Sequence, residues 1–121
     1  MAHRDDIPLR PSTLQDASPL LAQAADMLAS ARSVAALREA VAFHRSLRRG
    51  IVRLLATDRT VGLGDAERRM LHDHAAYVVA VTDAPACPDD HHIEAFIVLA
   101  RRDSQSLAAV VKQREDVPSA A

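Results

Sequence analysis

The sequence predicts an all-α fold, a small helical bundle of about four helices with a long central second helix. Three observations lead there. Apolar residues recur at three- and four-residue steps over long stretches, the period of a helix with one buried face. Aromatic residues make up only 2% of a chain that is 49% hydrophobic, so its core must be aliphatic and rich in alanine. Glycine and proline gather at 62–64 and 85–88, where two connections are expected. At 121 residues the chain is one domain.

Residues 1–17 are polar, hold Pro8 and Pro11, and are expected to form a flexible arm. The bundle is expected over 18–114, with a frayed tail at 115–121. Ser18 followed by Pro19 reads as an N-cap and a first helical residue. Leu20, Leu21, Ala24, Ala25, Met27 and Leu28 carry that helix to about Arg32. Ser33 is placed to cap the second helix, expected from Val34 to Ala56. Leu37, Ala40, Val41, Leu47, Ile51, Leu54 and Leu55 define its apolar face. Gly50 costs that helix up to ~1 kcal/mol relative to alanine and permits close approach of a neighbour.

A third helix is expected to start at Gly64 or Asp65, with Glu67 in its first turn. Met70, Leu71, His74, Tyr77, Val78 and Val81 form its face. The run from Tyr77 to Thr82 has strand propensity, but the helical period upstream continues through it unbroken. Asp89 or Asp90 is expected to cap a fourth helix reaching about Gln113. Its face holds Ile93, Phe96, Ile97, Ala100, Ser104, Leu107, Val110 and Val111.

Composition narrows function. The formal charge of −1 provides no strong field for nucleic acid or an anionic membrane. No apolar run approaches the ~20 residues of a bilayer span. The opening residues Met1 to Asp6 carry two acids and no apolar stretch, so a secretory signal is not expected and the cytoplasm is the expected compartment. A single cysteine, Cys87, excludes an internal disulfide and a multi-cysteine metal site.

Histidine is the first candidate for chemistry. His72 and His74 are two residues apart, which on a helix turns them about 200° from one another. His91 and His92 stand at a helix start near Cys87. Helical metal pairs want i and i+4 spacing, so no metal site and no cofactor are expected. No nucleophile elbow, phosphate loop, dinucleotide fingerprint or zinc-protease motif occurs. Cys87 lies beside Asp89 and Asp90, an acidic neighbourhood that disfavours a nucleophile. The expectation is a protein without enzymatic activity.

The arginines are the stronger feature. Arg45, Arg49 and Arg53 recur at i, i+4 and i+8 and share one face of the second helix, with Arg38 and Arg48 near its edges. Such a stripe suits acidic groups on a protein partner. It also suits a phosphate backbone, which makes a nucleic-acid-binding regulator the alternative. Bases stack on aromatic side chains, however, and the chain has only Phe43, Tyr77 and Phe96. The second helix is apolar on more than one side, through Val34, Leu37, Val41, Phe43, Leu47, Val52 and Leu54. That breadth fits a central helix or one that meets a partner, including a second copy in a helical homodimer.

The stretch from Glu39 to Asp58, with its arginine-rich turn running into Ile51, Val52, Leu54 and Leu55, resembles the middle of the flagellar biosynthesis regulator FlaF. Gly62 to Val78 is similar in layout to the loop and helix that follow in that family, and Ile93 to Arg101 occupies the place of its closing apolar helix. The similarity spans roughly residues 22–109. Arg48 stands where the family carries its first tryptophan, and Tyr77 where it carries the second. Leu63-Gly64 replaces a Leu-Pro. The resemblance implies an all-helical cytoplasmic factor that binds flagellin as a chaperone linked to its translation or secretion. It implies the regulator FlbT as companion, and helix-in-groove capture as the mode. Arg45, Arg48, Arg49, Arg53 and Tyr77 are the residues expected to meet the partner.

Overall fold

The computed structural model describes residues 13–57, 63–84 and 86–116, with side chains up to Lys112. Four helices follow one another: α1 (Leu14–Ser30), α2 (Val34–Thr57), α3 (Asp65–Thr82) and α4 (Asp90–Asp116). No strand occurs among the described residues, and the Tyr77–Thr82 run is helical. The fold is the small all-α bundle that the apolar periodicity predicts.

The start of α1 departs from expectation. The helix begins at Leu14, and Thr13 is its N-cap, with Oγ1 accepting from the Asp16 amide at 3.2 Å. Residues 14–17, expected in the arm, therefore form the first helical turn, while 1–12 lie outside the described residues. The reason is burial. Leu14, Ala17, Leu21, Ala24 and Leu28 repeat at three- and four-residue steps and are all buried, so starting at Ser18 would forfeit the first two contacts. Pro19 sits in the second turn and supplies no amide to the Gln15 carbonyl. Ser18 is no cap. Its hydroxyl donates to the Ser104 carbonyl at 2.8 Å, and the Ser104 hydroxyl donates back to the Ser18 carbonyl at 2.7 Å. This reciprocal pair ties α1 to α4.

The other helix starts follow the cap chemistry in the sequence. The Ser33 hydroxyl accepts from the Ala36 amide at 3.0 Å, and Asp89 Oδ1 accepts from the His92 amide at 3.0 Å. Those two hydrogen bonds satisfy first-turn donors that the helix itself leaves orphaned. Gly64 precedes α3 without a side-chain cap.

Helix α1 packs against α2 and α4, α2 also packs against α3, and α3 meets α4 only lightly. Arg68 Nη1 donates to the Leu55 carbonyl, and Arg45 Nη1 to the Thr82 carbonyl, so α2 and α3 run antiparallel. Tyr77 against Phe96 and His74 against Asp103 give the same sense for α3 and α4. The result is an up-down-up-down bundle in which α2 and α4 face each other across the diagonal. Only long side chains bridge that diagonal.

Two apolar clusters fill the interior. One gathers Leu14, Leu21, Leu47, Ile51, Leu71 and Leu107 with four alanines. The other gathers Leu28, Ala40, Val78, Ile93 and Phe96. Along α2, His44 and Arg48 fall between Ala40 of the second cluster and Ile51 of the first.

Candidate functional site

Four polar side chains meet inside the bundle. His44 and Arg48 come from α2, His74 from α3 and Asp103 from α4. His44, Arg48 and Asp103 are fully buried, and the His74 side chain is 20% exposed. Arg48 Nη1 donates to Asp103 Oδ2 at 2.7 Å, across the bundle diagonal. Asp103 also takes the Nδ1 of His74 at 2.9 Å from both its oxygens. A carboxylate only accepts, so His74 donates from Nδ1. The Arg48 Nε–H donates to His44 Nε2 at 2.9 Å, which makes that nitrogen the acceptor and puts the His44 proton on Nδ1.

The electrostatics follow from burial. Desolvation first, and the Arg48 charge second, pull the His44 pKa from 6.5 to about 3, so its imidazole is neutral at neutral pH. Burial also draws the Arg48 guanidinium below its ordinary value, opposed by the Asp103 charge and hydrogen bond. An arginine starts so high that it remains a cation. His44 further packs edge-on against Phe96, with ring centroids 5.5 Å apart. The Nδ1–H of His44 and the Nη2 of Arg48 donate no hydrogen bond to any described residue. This cluster binds three helices together. Asp103 thus both pairs with Arg48 and fixes the orientation of the His74 ring.

The second candidate is the outer face of α2. Arg49 and Arg53 are exposed, as is Arg38 about three turns before Arg49. Among the described residues, none of the three makes an ion pair. Arg45 is half-buried. Its Nη2 meets Asp83 Oδ1 at 2.7 Å while Nη1 reaches the Thr82 carbonyl at 3.0 Å, closing the C-terminal end of α3. Between Arg38 and Arg53 the other exposed residues of α2 are Glu39 and Ala42, and exposed Ala35 and Ala56 flank the row. Helix α2 carries five arginines against one acid, Glu39; Arg48 is buried against Asp103 and Arg45 is paired with Asp83, which leaves Arg38, Arg49 and Arg53 with the exposed Glu39 on its outer face.

The expected site residues therefore divide. Arg49 and Arg53 stand on the surface, with Arg45 beside them in a fixed pose. Arg48, expected at the partner surface, is a core residue instead. At the edge of the arginine stripe it points inward, where Asp103 awaits it. Tyr77 lies off the row, half-buried on α3, its ring 5.9 Å from Phe96 and 6.2 Å from His92. His72 is exposed beside Asp73, and His92 caps back onto Asp89. Among the described residues, no three His, Cys, Asp or Glu side chains are placed to hold a metal ion, and no helix is long and apolar enough to cross a membrane.

Sequence reasoning missed His44 and Asp103. A signal existed: Asp103 falls on the α4 face that carries Phe96, Ala100, Leu107 and Val110, and a charge at a core position demands a partner.

Compared with known proteins, the chain matches no family model, no curated protein and no solved structure.

Proposed function

We propose that this protein is a non-enzymatic cytoplasmic regulator that captures a helical segment of a protein partner on the outer face of α2. The observation that carries the reading is the row of exposed arginines, Arg38, Arg49 and Arg53, which make no ion pair among the described residues. The row spans about 22 Å along the helix, the length of four turns of a partner helix. Following the resemblance to FlaF, the partner is flagellin, whose ends are amphipathic, and FlbT is the companion regulator.

Calorimetric titration with monomeric flagellin from the same genome, at low and moderate salt, tests the reading. Binding that weakens only modestly with salt and has a negative heat-capacity change supports protein capture. The paired variant Arg49→Glu, Arg53→Glu is expected to abolish it. No heat with flagellin, together with steeply salt-dependent binding to an oligonucleotide, overturns the reading in favour of nucleic acid.

A further inference from the structure

His74 is the member of the interior polar cluster that reaches solvent. Its Nδ1–H is given to buried Asp103 at 2.9 Å, and its side chain is 20% exposed. Nε2 makes no hydrogen bond with any described residue and, unlike His44 Nδ1 and Arg48 Nη2, is not sealed from water. With the proton fixed on Nδ1, the lone pair of the neutral ring sits on Nε2 and faces outward. The carboxylate behind the ring holds its orientation and raises the electron density on that nitrogen, the arrangement of an activated imidazole nucleophile. A metal would need further ligands, and among the described residues no three suitable side chains come together.

The nitrogen opens at the seam where α3 and α4 meet only lightly. Ser104, on one flank of Asp103, reaches α1. Arg102 lies about 100° the other way around the helix and so falls on the flank toward α3. Within one turn of His74 or Asp103, the other described acids and arginines are Asp73, Arg101 and Arg102, all exposed. Asp73 stands 3.7 Å from His72, and neither arginine makes an ion pair among the described residues. The buried Arg48–Asp103 pair sums to zero. The surroundings of Nε2 are therefore net positive and favour an incoming anion.

We propose that His74 is a phosphoryl-acceptor site, taking a phosphoryl group onto Nε2 from a phosphoramidate donor, the class to which a phosphohistidine on another protein belongs. The Nε2 lone pair forms the new N–P bond as the donor's P–N bond breaks, and the donor nitrogen leaves carrying a proton from solvent. Nδ1 keeps its own proton, so the ring becomes cationic. Asp103, the positioning residue, stabilises that charge from 2.9 Å, and Arg48 holds Asp103 in place from behind. Arg102 pairs with the phosphoryl oxygens. This chemistry is independent of what α2 captures.

The full chain incubated with potassium phosphoramidate tests the site, with the acid-labile groups located by peptide mass spectrometry and phosphorus NMR. His72 is the internal standard, because its side chain is 58% exposed against 20% for His74. His74 is expected to be labelled first and at Nε2 alone, whereas His72 takes the group at either nitrogen. His74→Gln identifies the signal by removing it. Arg102→Ala, at an exposed position, is expected to slow His74 about threefold and leave His72 unchanged. The double variant Arg48→Met, Asp103→Leu removes the carboxylate and keeps an apolar interior. In it His74 is expected to fall to the His72 rate and to lose its preference for Nε2. Labelling of His72 ahead of His74, the group on Nδ1 of His74, an unchanged rate in Arg102→Ala, or the native rate and isomer in the double variant would each overturn the proposal.

Discussion

Acid is expected to destabilise this protein through His44, by an amount that follows from the geometry. His44 is fully buried and held neutral, its pKa drawn from 6.5 to about 3 by desolvation and by Arg48. In the unfolded chain the imidazole meets water and takes up a proton near pH 6.5. Between pH 6.5 and about 3 the unfolded state thus binds one more proton than the folded state. Stability is complete above pH 6.5 and drains as pH falls. From pH 7 to pH 5 this single group removes about 2 kcal/mol. That figure barely depends on the folded value, because pH 5 lies well above it; the unfolded pKa sets the loss. Against a typical domain stability of ~5–15 kcal/mol it is a large fraction. The perturbation is His44→Gln, which keeps an acceptor for the Arg48 Nε–H and removes the titration. Urea unfolding followed by far-ultraviolet circular dichroism at pH 7 and pH 5 gives the stability of each protein. The variant is expected to lose about 2 kcal/mol less than the native protein over that interval, whatever its offset at pH 7. Other titrating groups are common to both proteins and cancel. Equal losses in the two proteins would refute the account of His44 as a buried neutral imidazole.

Three further outcomes follow from the packing. Asp103→Leu leaves the Arg48 charge buried without its anion and is expected to cost about 3–5 kcal/mol in urea unfolding; combining it with Arg48→Met restores most of that loss, and a double variant as unstable as the single one refutes the pairing. Thr13→Ala is expected to cost about 1 kcal/mol as a lost N-cap, and unchanged thermal unfolding would return the start of α1 to Pro19. Gly64→Ser supplies the cap that α3 lacks and is expected to stabilise by a few tenths of a kcal/mol. The backbone there has φ −74°, and a new Cβ meets only the flexible end of Glu67 at 3.4 Å, so raised stability is the expected result and a fall contradicts it.

The bundle was legible because its helices are bounded by local chemistry. Ser33 and Asp89 cap where their side chains can reach first-turn amides, and the apolar period of α2 needs no tertiary knowledge to recognise. The start of α1 was not legible from its strongest local signal. Ser18-Pro19 looks like a helix start in isolation, but Leu14 and Ala17 bury against other helices, and that tertiary gain outweighs the cost of a proline in the second turn. The arginine row could be read from spacing, since i, i+4 and i+8 share a face on any helix. Its division into exposed and buried members could not. Arg48 sits one residue from Arg49 and about 100° around the helix, enough to move it from water to the core, but only Asp103, 55 residues away, makes that burial tolerable.

The interior ion pair carries a consequence for the core itself. An alanine- and leucine-rich interface discriminates weakly between registers, because neighbouring turns present side chains of similar shape. Sliding α2 by one turn displaces Arg48 by about 5.4 Å. That displacement breaks its 2.7 Å contact with Asp103 on α4 and strands two buried charges, while His44 moves with it on the same helix. The penalty for leaving one such charge unpaired is about 3–5 kcal/mol, comparable to a substantial part of a domain's stability. The pair therefore selects one alignment of α2 against α4 even if it adds little net stability. The apolar double variant Arg48→Met, Asp103→Leu separates the two effects. It is expected to approach or exceed native stability in urea while giving broadened or doubled backbone amide resonances from helices that exchange between alignments. A single sharp set of resonances in that variant would mean that side-chain shape alone fixes the register, and that the buried charges contribute nothing to it.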